Sequence, residues 1–156
     1  MRLNLRLFGE VEIEDDKIIT FEKGLMGFEE YHRYALVYDS EKGSGKGIMW
    51  LQSVEEGGPA FPVVDPLNFL AEYAPVVEDE WLADIGEYTS DEDLLILCVL
   101  TVPANLADMT ANIKAPLIIN TITRKGCQII VNNEDYSVRF NVYDRIQELK
   151  KEEKGC

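Results

Sequence analysis

The chain has 156 residues, of which 46% are hydrophobic, and its 29 acidic residues against 15 Lys and Arg give a formal charge of −14. That length predicts one domain that buries roughly 68–70% of its extended-chain surface, and no apolar run approaches the roughly 20 residues needed to span a bilayer. The opening "MRLNLRLFGEVEIEDD" alternates instead of forming a signal-peptide core, so a soluble cytoplasmic protein is expected, with no membrane partner.

The pattern along the chain is mostly of period two, the mark of strands. Leu3, Leu5 and Leu7 alternate with polar residues, and Val11 and Ile13 continue the alternation after Gly9. Asp15–Asp16 reads as a turn and "KIITF" as the returning strand. "EKGLMGFEE" predicts a tight loop that presses Leu25 and Met26 inward. "RYALVY" and "IMWLQSV" read as strands joined by the glycine-rich loop "DSEKGSGKG". "FPVVDP" is a short strand in which Pro62 calls for an edge or bulge position. "PLNFLAEY" and "EDEWLADIG" each suggest a short helical turn, the second stopped by Gly86. The continuous apolar run 94–100 predicts a strand buried on both faces.

"MTANIKAPLIINTITRKG", residues 109–126, looks like two strands broken by Pro116, but it is furnished with Asn112, Asn120 and three threonines. "CQIIV" returns from its turn, and "NNEDYSVRF" holds a last short strand. About ten short strands, short connections and one or two helical turns predict a mainly β protein, a compact antiparallel β-barrel or roll. The expected domain is 1–141, followed by a charged tail, 142–156, that is helical or frayed. Nothing in the pattern demands more than a monomer.

The cations are unevenly placed. None lies between 47 and 113, a stretch that holds 13 acids. Either this serves solubility or it makes a field that steers a basic partner. Direct nucleic-acid binding is disfavoured, because phosphate contacts need many Lys and Arg.

Few residues suggest catalysis. The only histidine, His32, sits in "EEYHRY" with no cysteine nearby, and the chain has no nucleophile elbow, phosphate loop or zinc spacing. Cys98 reads as a core residue and Cys156 as exposed and free. No cofactor is expected. Asp65 is the best candidate for a carboxylate-pair hydrolase, which would need a deep cleft with two facing acids. An Asp before Pro more often bonds its own turn.

Three stretches, in order, resemble the flagellar assembly factor FliW family: "IITFEKGLMGFEEY", "WLQSVEEGGPAFPVVDP" and "LTVPANLADMTANIKAPLIINTITRKGCQII". The resemblance covers residues 1–140. Family members often carry proline where this chain has Glu22 and Met26, and nothing after Phe140 matches. The resemblance implies a β-barrel and a non-enzymatic cytoplasmic regulator that binds flagellin and the translational repressor CsrA. Flagellin that accumulates would occupy it and free CsrA to repress flagellin translation. A flagellin chaperone without a CsrA role is the alternative.

On this reading, Glu55 and Glu56, on the turn after "WLQS", are the first candidates for meeting a basic repressor. "TANIKAP" is expected to be an edge strand that ends at Pro116 and accepts a partner's strand. Thr110, Asn112 and Lys114 would then face the partner, unless Asn112 caps a turn and Ala111 and Ala115 are small for packing reasons. Gln52 and Ser53 are weaker interface candidates.

Overall fold

The computed structural model describes residues 2–5, 9–38 and 48–145. Among the described residues eleven short strands run in chain order: β1 (Arg2–Leu5), β2 (Gly9–Glu12), β3 (Ile18–Phe21), β4 (Arg33–Tyr38), β5 (Met49–Ser53), β6 (Ala60–Val64), β7 (Leu94–Thr101), β8 (Thr110–Ala111), β9 (Leu117–Asn120), β10 (Lys125–Gln128) and β11 (Phe140–Asn141). The helical pieces between strands are 3-10 turns, the longest being Asp79–Ile85. The loop expected at 39–47 lies outside the described residues.

Strands β3 to β7 follow one another as neighbours, β10 pairs with β3, β9 pairs with β10, and β9 pairs back onto β7. This closes a seven-stranded barrel. All of its pairings are antiparallel but one: β10 runs parallel to β3, with Lys125 opposite Thr20 and Gly126 opposite Phe21. The expected antiparallel barrel is thus present, with one parallel contact that has a counting reason. A ring with an odd number of strands cannot alternate direction at every step, so one parallel pair must occur, and it falls between strands far apart in sequence, which no tight hairpin has to join. At that pair a Cβ on Gly126 would stand 2.6 Å from the Phe21 ring, so only glycine lets β10 lie so close.

β1 and β2 form a separate hairpin. "KIITF" therefore does not return onto β2. A 3-10 turn at Asp15–Lys17 redirects the chain, and β3 joins β4 and β10 instead. β8 and β11 extend the sheet beyond the far end of β7.

The period-two pattern explains the core. Ile19, Phe21, Tyr34, Leu51, Val63, Leu97, Leu117 and Ile119 point into the barrel, all essentially inaccessible. Phe21 and Tyr34 meet edge to face, with ring centroids 5.6 Å apart. β7 is apolar on both faces because both are covered. Leu95, Leu97 and Val99 face the interior. Ile96, Cys98 and Leu100 face a second cluster made with Phe69, Leu70, Tyr73, Ile113 and Val142. A third cluster packs Leu82 and Ile85 of the Asp79–Ile85 turn on Ile118. Pro62 is tolerated because β6 meets β7 only from Val63 onward, so its half of the strand has β5 alone as a partner. Residues 142–145 are helical, and Val142 is buried in the second cluster, so the chain just past β11 is packed on the barrel. The tail from 146 lies outside the described residues.

Asn120, fully buried at the end of β9, is the polar fastening of this frame. Its Nδ2 donates to the carbonyls of Ile85 at 3.0 Å and Glu87 at 3.1 Å, while Oδ1 accepts from the N–H of Ile122 at 2.9 Å. One amide thus ends the long 3-10 turn and shapes the β9–β10 connection. Asn120→Asp keeps the shape and the acceptor but cannot donate to those carbonyls. It should lower the unfolding free energy by about 2–3 kcal/mol in urea denaturation, the cost of buried polar groups left unpaired.

Candidate functional site

The turn that follows β5 is built inward. Gln52 and Ser53 are each 2% exposed. The Gln52 Nε2 donates to the Ser53 carbonyl, and the Ser53 Oγ accepts from the N–H of Glu55 at 3.1 Å. A Cβ on Gly58 would sit 2.0 Å from that Oγ, so the turn closes tightly on Ser53. Neither Gln52 nor Ser53 offers its side chain to a partner on this surface, because both are spent on closing the turn. Glu55 is half-buried, and its Oε2 accepts from the N–H of His32 at 2.7 Å. Glu56 is the exposed acid of the pair.

The 110–116 segment is not a free edge. Thr110 and Ala111 lie between β7 and β11 and pair with both. Beyond them the N–H of Asn112 donates to the Val99 carbonyl, and those of Ile113 and Lys114 reach the Ser137 carbonyl. The backbone that was expected to accept an added strand is therefore already paired within the chain. Asn112 caps the next turn, accepting from the N–H of Ala115 at 3.0 Å. Ala111 and Ala115 are buried, and so is Pro116. Lys114 Nζ donates to the Asn133 carbonyl. The packing explanation of the small and polar residues accounts for most of this stretch.

Two open grooves of similar size stand out among the described residues, and neither was legible in the sequence. The first, of about 270 Å³, lies at one end of the barrel, between Met26, Phe61, Asn112, Val138 and Arg139. Here the expected inward knuckle splits: Leu25 is buried while Met26 is 47% exposed. Gln128 anchors that loop, accepting from the N–H of Met26 and donating to the Ala115 carbonyl. The second, of about 250 Å³, runs along β7 beside Asp65, Leu67, Tyr73 and Asp91. Asp65 accepts from the N–H of Leu67 at 2.9 Å, which is the turn role that its place before Pro66 suggested. Pro at the first position and this cap turn Leu67 outward, to 55% exposure.

Among the described residues no three His, Cys, Asp or Glu are placed to share a metal ion, and no helix is long and apolar enough to cross a membrane. Burial pushes the Cys98 thiol up to about 12 and the Cys127 thiol up to about 11, the latter helped by the Asp84 carboxylate. Both are poor nucleophiles near neutrality. The Asp93 carboxyl is held below its ordinary range by the Thr89 hydroxyl at 2.7 Å and the N–H groups of Thr89 and Ser90.

The sequence profile described as FliW protein matches residues 2–142. The chain belongs to the FliW family. A protein of Lachnospira eligens named flagellar assembly factor FliW is 46% identical, over 98% of this chain and 99% of its own length. A Thermotoga maritima protein of the same name is 43% identical, over 91% of this chain and 93% of its own. The crystal structure of a flagellar assembly factor FliW superposes with a TM-score of 0.81 at 27% identity, covering 92% of this chain and 97% of that one. The FliW family thus accounts for the barrel.

Two outcomes follow from the titrating groups of this FliW chain. In the folded protein at pH 8, Cys98 and Cys127 should resist iodoacetamide and react only on denaturation, as followed by peptide mass. Because the Asp93 pKa is depressed on folding, its stabilisation is present above the ordinary carboxylate range and lost as pH falls through the folded value. Asp93→Asn should therefore show a shallower acid loss of the urea midpoint than wild type.

Proposed function

We propose that this chain is a cytoplasmic, non-enzymatic flagellar assembly factor that binds flagellin, antagonises CsrA and is a monomer when free. The observation that carries the reading is full-length kinship with proteins named flagellar assembly factor FliW. The charge supports the CsrA half of it. An RNA-binding repressor must carry a basic face, and a partner of charge −14 docked beside that face repels phosphates without filling the RNA site. At physiological salt the Debye length is about 8 Å, so only acids close to the docked edge contribute.

Of the turn after β5, Glu56 is the acid free to meet a basic partner, because the Glu55 carboxylate is engaged by the His32 N–H. Of the 110–116 segment, Asn112 is the residue best placed for a partner, since it borders the groove beside Met26 and Phe61. Thr110, Lys114 and Pro116 would act by holding that groove's wall.

The test is a competition among the purified protein, flagellin and CsrA of the same cell, read by size exclusion and calorimetry at two ionic strengths. CsrA should bind, weaken as salt rises and be displaced by flagellin. Flagellin binding without CsrA binding would make this a flagellin chaperone whose charge serves solubility. Failure to bind either would end the proposal.

A further inference from the structure

The groove along β7 combines an apolar wall with an anionic rim. Its walls are apolar: Leu67, 55% exposed, stands across from Tyr73, Pro75 and Ile96. Its rim is anionic, with Asp65 and Asp91 both bordering it. Every one of these residues belongs to the stretch 47–113, which contains no Lys or Arg. Two cations that approach from outside that stretch are engaged: Arg145 Nε donates to the Phe69 carbonyl at 2.9 Å with its guanidinium 3.7 Å from Glu72, and Lys114 Nζ donates to the Asn133 carbonyl.

The walls are also held in place. Tyr73 donates its hydroxyl to the Ile113 carbonyl at 2.9 Å and stacks on Tyr136 with centroids 5.0 Å apart. Asn133 clips the following residues, accepting from the N–H of Val76 and donating to the Ala74 carbonyl. The opposite lip is fixed by the Asp65 cap. A groove held by hydrogen bonds from three separate segments has little ordering cost left on binding.

We infer that this groove is the seat for a segment of CsrA that presents an apolar side chain flanked by Lys or Arg. The inference rests on the CsrA reading above and places its main contact away from the turn that carries Glu56. Charge complementarity selects the occupant. Asp65 and Asp91 favour a basic flank and penalise an acidic one, and they speed encounter with a basic surface. The apolar side chain, desolvated against Leu67 and Tyr73, supplies the affinity that charge alone does not.

Three variants of the full chain test this by calorimetry against purified CsrA and flagellin. Asp91→Lys reverses a rim charge, Leu67→Ala removes the exposed wall, and Glu14→Lys makes the same change of net charge at an exposed position outside the groove. Asp91→Asn serves if the reversal disturbs the 91–93 turn, and thermal melts check the fold of each. Asp91→Lys should weaken CsrA about tenfold or more, Leu67→Ala about threefold or more, and Glu14→Lys less than twofold, with flagellin affinity unchanged throughout. If wild type binds CsrA and the groove variants bind it equally well, the groove is wrong and the partner reading survives. A loss with Glu14→Lys as large as with Asp91→Lys would reduce the effect to net charge and overturn the groove. So would loss of flagellin binding in place of CsrA binding. Wild-type protein that binds no CsrA overturns both.

Discussion

Strand β7 is the constraint on which the molecule depends. It pairs with β6 on one side and with β9 and then β8 on the other, so it both closes the barrel and carries the extension beyond it. Its alternate side chains face two different clusters. A strand packed against protein on both faces, and open only in part at the groove beside Leu94, Leu95 and Ile96, has little solvent side on which to place polar residues, hence the uninterrupted run "LLILCVL". Closure through this strand fixes the ring at seven, and the odd number in turn requires the parallel contact of β10 with β3. The close approach of Gly126 to Phe21 is the local consequence of that global count.

Around this frame, long connections are held by single polar side chains. Asn120 fastens the end of the Asp79–Ile85 turn, Asn112 the turn before Pro116, Asn133 the chain near Val76, and Asp65 the turn before Leu67. Each satisfies backbone groups that irregular segments leave open. This explains how polar residues in an apolar segment, which resemble a recognition surface in sequence, also fasten the fold in three dimensions. Among the described residues, these fastenings leave two open grooves of similar size, one beside Met26 and one beside Leu67. One is rimmed by Arg139 and the other by Asp65 and Asp91.

What sequence reasoning reached was whatever depends on local pattern. Strand alternation, the buried run of β7, the 3-10 turns at Pro66 and Asp79, and the turn role of Asp65 are all consequences of side-chain period or of backbone chemistry within a few residues. So is the family resemblance, carried by contiguous motifs. What it missed depends on who lies opposite whom. "TANIK" has the composition of an edge strand, yet β11, some 30 residues later, covers it. "WLQS" has polar residues at its end, yet the turn folds them inside.

The chain's own sequence therefore determined the β class, the barrel's inward-facing residues, the acidic balance and the kinship, because each is written in spacing, count or motif. The tertiary structure alone decided that the ring has seven members with one parallel pair and that the 110–116 backbone is already spent. It alone brings Leu67, Tyr73 and Asp91 to one groove. Those outcomes rest on pairings between residues tens of positions apart. Local pattern carries no record of such pairings, since the same alternation fits either neighbour and either direction.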